Sequence, residues 1–157
     1  MDDLADLHAI QSDPDHMRYY DHPFSVEESR EWIERTLARY EDDGFGLLAV
    51  EDGATSEFLG NVGPVARTID GAAEVELGWS VTPRRARQGI ATEAAAACRD
   101  WAFSITEFDH LISLILPDNR PSCGVAENLG MTIWKEVPHG TEHPKLHYVY
   151  RLDRSSL

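Results

Sequence analysis

The stretch that most constrains the fold is residues 81–93, a short loop rich in arginine and glycine between a predicted central strand, residues 74–81, and a predicted helix. The first turn of a helix has backbone N–H groups without intrahelical partners and a partial positive charge. Gly89 and Ala91 have almost no side chain, so a bulky anion can approach that backbone closely. The loop is therefore predicted to be an anion-binding cradle, flanked by the three cations Arg84, Arg85 and Arg87.

Length and composition limit the class of protein. The chain has 157 residues and is 42% hydrophobic, which suits one domain, residues 1–157, with its own core. No run approaches the roughly 18 apolar residues of a membrane span, and the first residues lack the features of a secretory signal. We expect a soluble, cytoplasmic protein without a membrane partner. Its two cysteines, Cys98 and Cys123, are expected to be reduced thiols.

The net charge of −14 bears on the choice of partners. Surfaces that bind DNA or RNA need a basic footprint, so nucleic acid is not expected as a partner. An acidic surface favours a cationic partner, although acidity that serves solubility alone is an equally open interpretation.

Local patterns predict a mixed α/β domain built on one sheet. Ser25 and Glu28 form a capping box at the start of the second helix, and the turn dipeptides Asp52-Gly53 and Asp70-Gly71 separate three strands expected to be antiparallel. Helices are predicted over residues 2–11, from 25 to just before 42, over 90–108, and from the 117–122 turn to 129. Strands are predicted over residues 45–51, 58–65, 72–81, 110–116, 131–137 and 146–152.

Gly78 lies inside the third strand, where glycine often marks a bulge or a place where a ligand approaches the backbone. A ligand is expected near the carboxyl end of this strand. Taken alone, the loop that follows is also compatible with an ordinary strand-to-helix turn. The two commoner phosphate-binding motifs are absent from the sequence, which disfavours a nicotinamide dehydrogenase and a P-loop nucleotidase.

Three histidines, His139, His143 and His147, recur at every fourth position. On a helix this spacing would create a metal-binding face. Gly140 and Pro144 argue against a helix, so a polar loop that leads into a strand is the favoured interpretation, and no metal is expected.

Six motifs along the chain are specific in combination. They are Ser12-Asp-Pro-Asp-His-Met-Arg-Tyr19, Trp32-Ile-Glu-Arg, Val75-Glu-Leu-Gly-Trp79, Gln88-Gly-Ile-Ala-Thr-Glu-Ala94, Pro117-Asp-Asn-Arg-Pro-Ser122 and Asn128-Leu-Gly-Met131. Together they resemble the GNAT-fold N-acetyltransferases, nearest to the RimJ/RimL-type branch of ribosomal-protein N-terminal acetyltransferases. The resemblance covers nearly the whole chain.

The resemblance implies acetyl-CoA as the donor. Its pyrophosphate is expected on the cradle and its pantetheine arm along the backbone of the third strand, freed by a bulge at Gly78. The cofactor-binding residues are then Trp79, Ser80, Val81, Arg84, Arg85, Ala86, Arg87, Gln88, Gly89, Ile90, Ala91, Thr92, Asn119 and Ser122.

Acetyl transfer to an amine needs a neutral amine, a polarised thioester carbonyl and a protonated leaving thiolate. A backbone N–H within residues 79–81 is a candidate for stabilising the oxyanion. Glu76 shares a strand face with Gly78 and Ser80 and is the candidate base, acting through water; the competing interpretation is an exposed strand carboxylate. The tyrosine that serves as general acid in many relatives falls at Ala126, which leaves Ser122 or water to protonate the thiolate.

The sequence departs from the family pattern in two further ways. The first cradle position, Arg or Gln in much of the family, is Ala86, although Arg85 and Arg87 flank it. The usual first strand is lacking, which would leave a sheet edge free, so the protein is expected to be a monomer or a homodimer.

The acceptor is expected to be a primary amine, either a peptide or protein N-terminus or a small molecule. Tyr19, Tyr20, His22 and the loop 138–145 are expected to shape its site. Two alternatives remain: a transferase that uses another acyl-CoA donor, and a GNAT module that binds CoA or a partner without turnover.

Overall fold

The computed structural model describes residues 3–140 and 144–156. Within these ranges the chain forms four α-helices: α1 (Leu4–Gln11), α2 (Val26–Asp42), α3 (Ile90–Ile105) and α4 (Arg120–Asn128). In the same ranges there are six strands: β1 (Leu48–Glu51), β2 (Phe58–Ile69), β3 (Ala72–Val81), β4 (His110–Ile115), β5 (Thr132–His139) and β6 (Lys145–Asp153). Short 3₁₀ turns cover Met17–Tyr19, Pro83–Arg85 and Arg154–Ser156.

The strands form one sheet in the order β1-β2-β3-β4-β6-β5. All neighbours are antiparallel except β3 and β4, which are parallel. The predicted mixed, mostly antiparallel sheet flanked by helices is therefore confirmed. Among residues 3–140 no strand precedes α1, as the sequence indicates, and β1 forms one edge of the sheet.

Local chemistry explains where the helices begin and end. At the start of α2, the Ser25 hydroxyl accepts from the Glu28 N–H and the Glu28 carboxylate accepts from the Ser25 N–H, which confirms the capping box. Helix α3 ends at Ile105, short of the predicted residue 108, because Thr106 adopts an extended backbone and its hydroxyl donates to the carbonyl of Ala102.

The predicted first strand is also shorter than expected, because β1 begins only at Leu48. Before it, the backbone of Gly46 and Leu47 passes over the face of β2 at Gly63. A Cβ added at Gly63 would lie 2.5 Å from the Gly46 carbonyl oxygen. Glycine at this position allows the loop to approach β2 so closely.

The core lies on one face of β3. Val75 and Leu77 are almost fully buried and pack in one cluster with Ala95 and Ala102 of α3. Side chains alternate along a strand, so Glu76 and its neighbours at 78 and 80 point to the opposite face. That face, which carries no large apolar side chain at these three positions, forms part of the site described below.

Two expectations from composition concern membrane segments and cysteines. No helix in the described part of the chain is long and apolar enough to cross a membrane. Cys98 and Cys123 are both free thiols, as expected. Burial raises the pKa of Cys98, which favours its protonated form.

Candidate active site

Strands β3 and β4 separate in the middle of the sheet. Their register contains a single pair, Glu76 opposite Ile112, whereas β3 remains paired to β2 as far as Val81 and β4 to β6 as far as Ile115. Beyond Glu76 the two parallel strands run apart. A cavity of about 500 Å³ opens between them, lined by residues 77–80 of β3 and by residues 113–116.

The predicted bulge at Gly78 is wrong. The register of β2 and β3 runs without interruption from Gly60 opposite Val81 to Ile69 opposite Ala72. The backbone groups on the β4 side of Trp79, Ser80 and Val81 are left without a neighbouring strand because β4 diverges, since a parallel ladder needs adjacent strands. The expected opening for a ligand therefore exists, with a different cause.

The predicted cradle forms the start of α3. Gly89 is the residue before the helix, its φ is +82°, and no side chain of the described residues caps the first turn. A Cβ added at Gly89 would meet no atom within 4 Å, so the backbone faces open space. Arg87 is also left-handed, with φ +62°. Uncapped N–H groups beside a glycine in this conformation suit a phosphate group. Binding of the CoA pyrophosphate at this position stays a prediction.

Arg85 differs from the other two arginines of the cradle because two carboxylates hold its guanidinium. Nη2 lies 2.9 Å from Asp52 Oδ2 and Nη1 lies 2.9 Å from Glu57 Oε2, while Nε donates to the side chain of Gln88. The N–H of Ala54, followed by Arg85, lowers the pKa of Asp52 to about 2. Arg85 therefore fastens the cradle to the β1–β2 connection, and its charge is already balanced.

Arg84 and Arg87 are exposed, as are Ala86 and Gln88, whereas Ile90, Ala91 and Thr92 are half-buried. None of these residues lines the cavity between β3 and β4. The cradle instead follows β3 directly in sequence.

Glu76 lies in the cavity wall and is only 9% exposed. The competing interpretation of an exposed strand carboxylate is therefore wrong. Its Oε2 accepts a hydrogen bond from Arg67 Nε of β2 at 2.5 Å, and in the described chain no donor contacts the second oxygen, Oε1. Tyr20 also lines the cavity, and 51% of its surface is exposed.

Asn119 and Ser122 bring the start of α4 to the same cavity. The Asn119 side chain accepts from the Ser122 N–H at 3.3 Å and caps the helix. Ser122 is half-buried with its side chain in the wall. Ala126, where the tyrosine of many relatives would fall, is fully buried in the core.

Two of the three residues expected to shape the acceptor site line the cavity. Tyr19 and Tyr20 do so, and the Tyr19 hydroxyl donates to the carbonyl of Asp118 at 3.4 Å. His22 lies outside the wall, with Nε2 2.7 Å from Glu28 Oε1 at the start of α2. Of the loop 138–145, His139, Gly140 and Lys145 line the cavity, while residues 141–143 lie outside the described residues.

The histidine series is not helical where it is described. His139 ends β5 and His147 lies in β6, with ring centroids 5.4 Å apart. His143 lies outside the described residues. Burial, followed by the positive charge of Arg67, lowers the pKa of His139.

His16 is a site residue that the sequence reasoning missed. Its Nε2 lies 2.9 Å from Ser80 Oγ on β3, next to the cavity. Burial lowers the pKa of His16, against the opposing charge of Asp13, so the neutral ring is favoured. His16 and Ser80 lie 64 positions apart in the chain, so no local pattern indicates the contact.

One face of α2 was also missed. Trp32, Arg35 and Arg39 follow the i, i+3, i+7 spacing of a single helix face, and all three line the cavity. The i, i+3, i+7 spacing in the sequence was the available signal. Arg67 of β2 adds a further cation to the same wall.

Residues 1–132 match the family model of the acetyltransferase (GNAT) domain, and the chain belongs to the GNAT acetyltransferase family. It is 36% identical to the uncharacterized protein YkkB of Bacillus subtilis (strain 168) over 126 residues, 80% of this chain and 73% of the relative. An acetyltransferase from Agrobacterium tumefaciens str. C58 superposes with a TM-score of 0.81 at 30% identity, covering 97% of this chain and 85% of the other.

Spermidine N-acetyltransferase from Vibrio cholerae, solved in complex with CoA and spermine, shares the fold. The TM-score is 0.76 at 16% identity, with 98% of this chain and 91% of that chain covered. Family membership indicates acyl transfer from an acyl-CoA, and the uncapped start of α3 together with the parted strands fits such a donor.

Proposed function

We propose that this protein is an N-acetyltransferase of the RimJ/RimL type that transfers an acetyl group from acetyl-CoA to a primary amine. The amine belongs either to a peptide or protein N-terminus or to a small molecule. The observation that supports this most directly is the divergence of β3 from β4 after Glu76, which opens a cavity beside an uncapped helix start.

Different groups of residues bind different parts of acetyl-CoA in this proposal. The N–H groups at the start of α3, with Arg84 and Arg87, bind the pyrophosphate. The unpaired backbone edge at residues 79–81 holds the pantetheine arm by strand-like hydrogen bonds. Asn119 and Ser122 close the far wall. When bound, acetyl-CoA supplies a thioester whose carbonyl carbon is open to attack by the amine.

Glu76 is the residue proposed to accept a proton from the amine. It is buried in the cavity wall, Arg67 fixes its orientation, and Oε1 stays available to the amine or to a bridging water. A backbone N–H within residues 79–81 stabilises the negative charge that develops on the carbonyl oxygen. The Ser122 hydroxyl, or water, supplies the proton to the departing sulfur.

The first test measures the melting temperature of the protein in the presence of acetyl-CoA, free CoA and longer acyl-CoAs, because a ligand of the native state raises apparent stability. We expect acetyl-CoA and CoA to raise the melting temperature. A broad panel of amines is then assayed with acetyl-CoA, and we expect at least one of them to be acetylated. If no CoA species shifts the melting temperature, the proposal fails. Stronger stabilisation and faster transfer with a longer acyl chain would point to another donor, and binding without transfer to any amine would point to a non-catalytic module.

A further inference from the structure

The charges in the cavity wall differ in sign from those of the chain as a whole. The chain has a net charge of −14. The described wall nevertheless combines four permanent cations with two carboxylates: Arg35, Arg39, Arg67 and Lys145 against Asp21 and Glu76. An acceptor that enters this cavity therefore meets a cationic wall, whatever the charge of the outer surface.

Both carboxylates are already paired with cations of the same wall. Glu76 accepts from Arg67, and Asp21 Oδ1 lies 3.1 Å from Lys145 Nζ. The carboxylates therefore leave no unpaired negative charge for a second ammonium group of a polyamine. Arg35 is in turn paired with Glu31 of α2, with 3.7 Å between Nη1 and Oε2, so among the described residues the wall cation left without a carboxylate partner is Arg39.

Arg39 is less exposed than Arg35, the other wall cation of α2. It is half-buried on α2, and no carboxylate of residues 3–140 or 144–156 lies within ion-pair distance of it. Burial, followed by the charge of Arg67, lowers the pKa of Arg39, against the opposing charges of Asp43 and Glu76. Arg67 uses only Nε toward Glu76, so its two terminal nitrogens remain available to a ligand. Arginine pairs of this kind suit planar oxyanions.

Two buried amides also line the cavity. Gln11 and Asn61 are each 6% exposed. Gln11 Oε1 and Asn61 Nδ2 have no hydrogen-bond partner in the described structure. Both atoms are enclosed by protein, so the two amides add polar groups to the wall, while the arginines provide the groups that a ligand can reach.

We propose that the acceptor is a small amine that also carries an oxyanion, a carboxylate or a phosphate, bound between Arg39 and Arg67. This inference rests on the proposed function, since it concerns the amine that the acetyl group reaches. Arg67 donates a hydrogen bond to Glu76, the residue proposed to accept a proton from the amine. An oxyanion bound to Arg67 therefore lies close to the amine. The tether between amine and oxyanion is therefore short, as in an α-amino acid. Tyr20, Phe24 and Trp32 add an aromatic wall for the rest of the molecule.

The test compares matched amines with acetyl-CoA as donor. Phenylalanine is paired with 2-phenylethylamine and phosphoethanolamine with ethanolamine, and spermidine serves as the polyamine. We expect kcat/KM to be at least about tenfold higher for the oxyanion-bearing member of one pair, as charge-assisted hydrogen bonds allow. The pair that shows the preference distinguishes a carboxylate from a phosphate.

Variants locate the effect. Arg39→Gln should remove most of the preference for the oxyanion-bearing amine, chiefly through KM. Arg39→Lys should retain part of this preference, because lysine keeps the positive charge but lacks the planar guanidinium group. Arg30→Gln is the matched control, since Arg30 lies on the same helix outside the cavity wall and contacts Glu27. Circular dichroism and melting temperature verify that each variant is folded.

Several results would overturn the inference while leaving the proposed function intact. They are an equal or higher kcat/KM for the member without an oxyanion in both pairs, fastest turnover with spermidine or with a peptide N-terminus that lacks a nearby oxyanion, or an unchanged preference in Arg39→Gln. If CoA binds but no amine is acetylated, N-acetylphenylalanine must stabilise the CoA complex more than N-acetyl-2-phenylethylamine does; equal stabilisation refutes the oxyanion site. Absence of any stabilisation by acetyl-CoA counts against the proposed function instead.

Discussion

The pair of substitutions Gly89→Asp and Gly89→Asn tests the anion site at the start of α3 with a difference of one charge. Both side chains have nearly the same shape, and Asp and Asn tolerate left-handed backbone better than other residues. The φ of +82° at Gly89 therefore strains both variants to a similar extent. A Cβ at this position meets no atom within 4 Å, so neither variant creates a clash within the described protein.

The magnitude follows from the charge added beside the bound phosphates. At about 5 Å in water-like surroundings, one pair of like charges costs ~0.8 kcal/mol. Two phosphate charges then cost about 1.7 kcal/mol, which is a loss of about 15-fold in affinity. Water-like surroundings are appropriate because Gly89 is exposed. Compared with Gly89→Asn, the Asp variant should therefore bind CoA at least about tenfold more weakly.

Gly89→Asp should bind CoA more weakly than Gly89→Asn without being less stable, which separates a loss of binding from misfolding. A carboxylate before the first turn of a helix interacts favourably with its N-terminal dipole, by about 0.3–1 kcal/mol. Gly89→Asp should accordingly melt no lower than Gly89→Asn in the absence of ligand. The measurement is the Kd for CoA by titration calorimetry at low and high salt, with the difference shrinking as salt screens the charges. Equal Kd values for the two variants, or a markedly lower melting temperature for Asp, would refute the assignment.

Three further substitutions test the base, the close approach of two strands and the buried histidine. Glu76→Gln should lower kcat by at least about 100-fold and remove one limb of the pH–rate profile while the Kd for CoA stays near wild type; an unaltered profile excludes Glu76 as the base. Gly60→Ala should destabilise by about 2–4 kcal/mol in urea titration, because φ is +144° and a Cβ would lie 2.0 Å from the Ser80 carbonyl oxygen. Gly53→Ala, whose Cβ meets no atom within 4 Å, is the control, and equal effects would contradict the reasoning. The pKa of His16 is lower in the folded protein than its ordinary value of 6.5. As the pH drops below 6.5, the unfolded chain therefore binds more protons at this residue than the folded chain does. The free energy of unfolding should then fall by less than ~1.4 kcal/mol per pH unit. His16→Gln should flatten this slope between pH 7 and 5, and parallel curves would show that His16 does not titrate there.

Features governed by local chemistry could be predicted from the sequence. Ser25 and Glu28 are close in sequence, and their reciprocal hydrogen bonds form as the capping box requires. Gly89 marks the start of α3 because its left-handed backbone cannot continue a helix. The alternation that places Glu76, Gly78 and Ser80 on one face of β3 depends only on the strand itself.

Features governed by distant contacts could not be predicted in the same way. The opening beside Gly78 was assigned to a bulge, whereas it arises where β4, more than 30 positions later in the chain, diverges from β3. Arg85 was grouped with its neighbours by charge, but Asp52 and Glu57 neutralise it from another connection. The unpaired amides of Gln11 and Asn61 become visible only when α1 and β2 meet around the cavity.

Arg67 links the two halves of the proposed acceptor site, and this link affects how the Glu76 variant must be interpreted. Arg67 is bonded to Glu76, and its charge acts on Arg39. Removing the Glu76 charge therefore removes the base and also makes the cationic wall one charge more positive. A lost base lowers kcat for every amine alike and changes the pH profile. A more positive wall instead strengthens binding of an oxyanion-bearing amine relative to the matched amine without an oxyanion, so in Glu76→Gln the preference measured by KM should rise while kcat falls. If kcat falls and the preference falls with it, Arg67 depends on Glu76 for its position, and the two residues act as one structural unit.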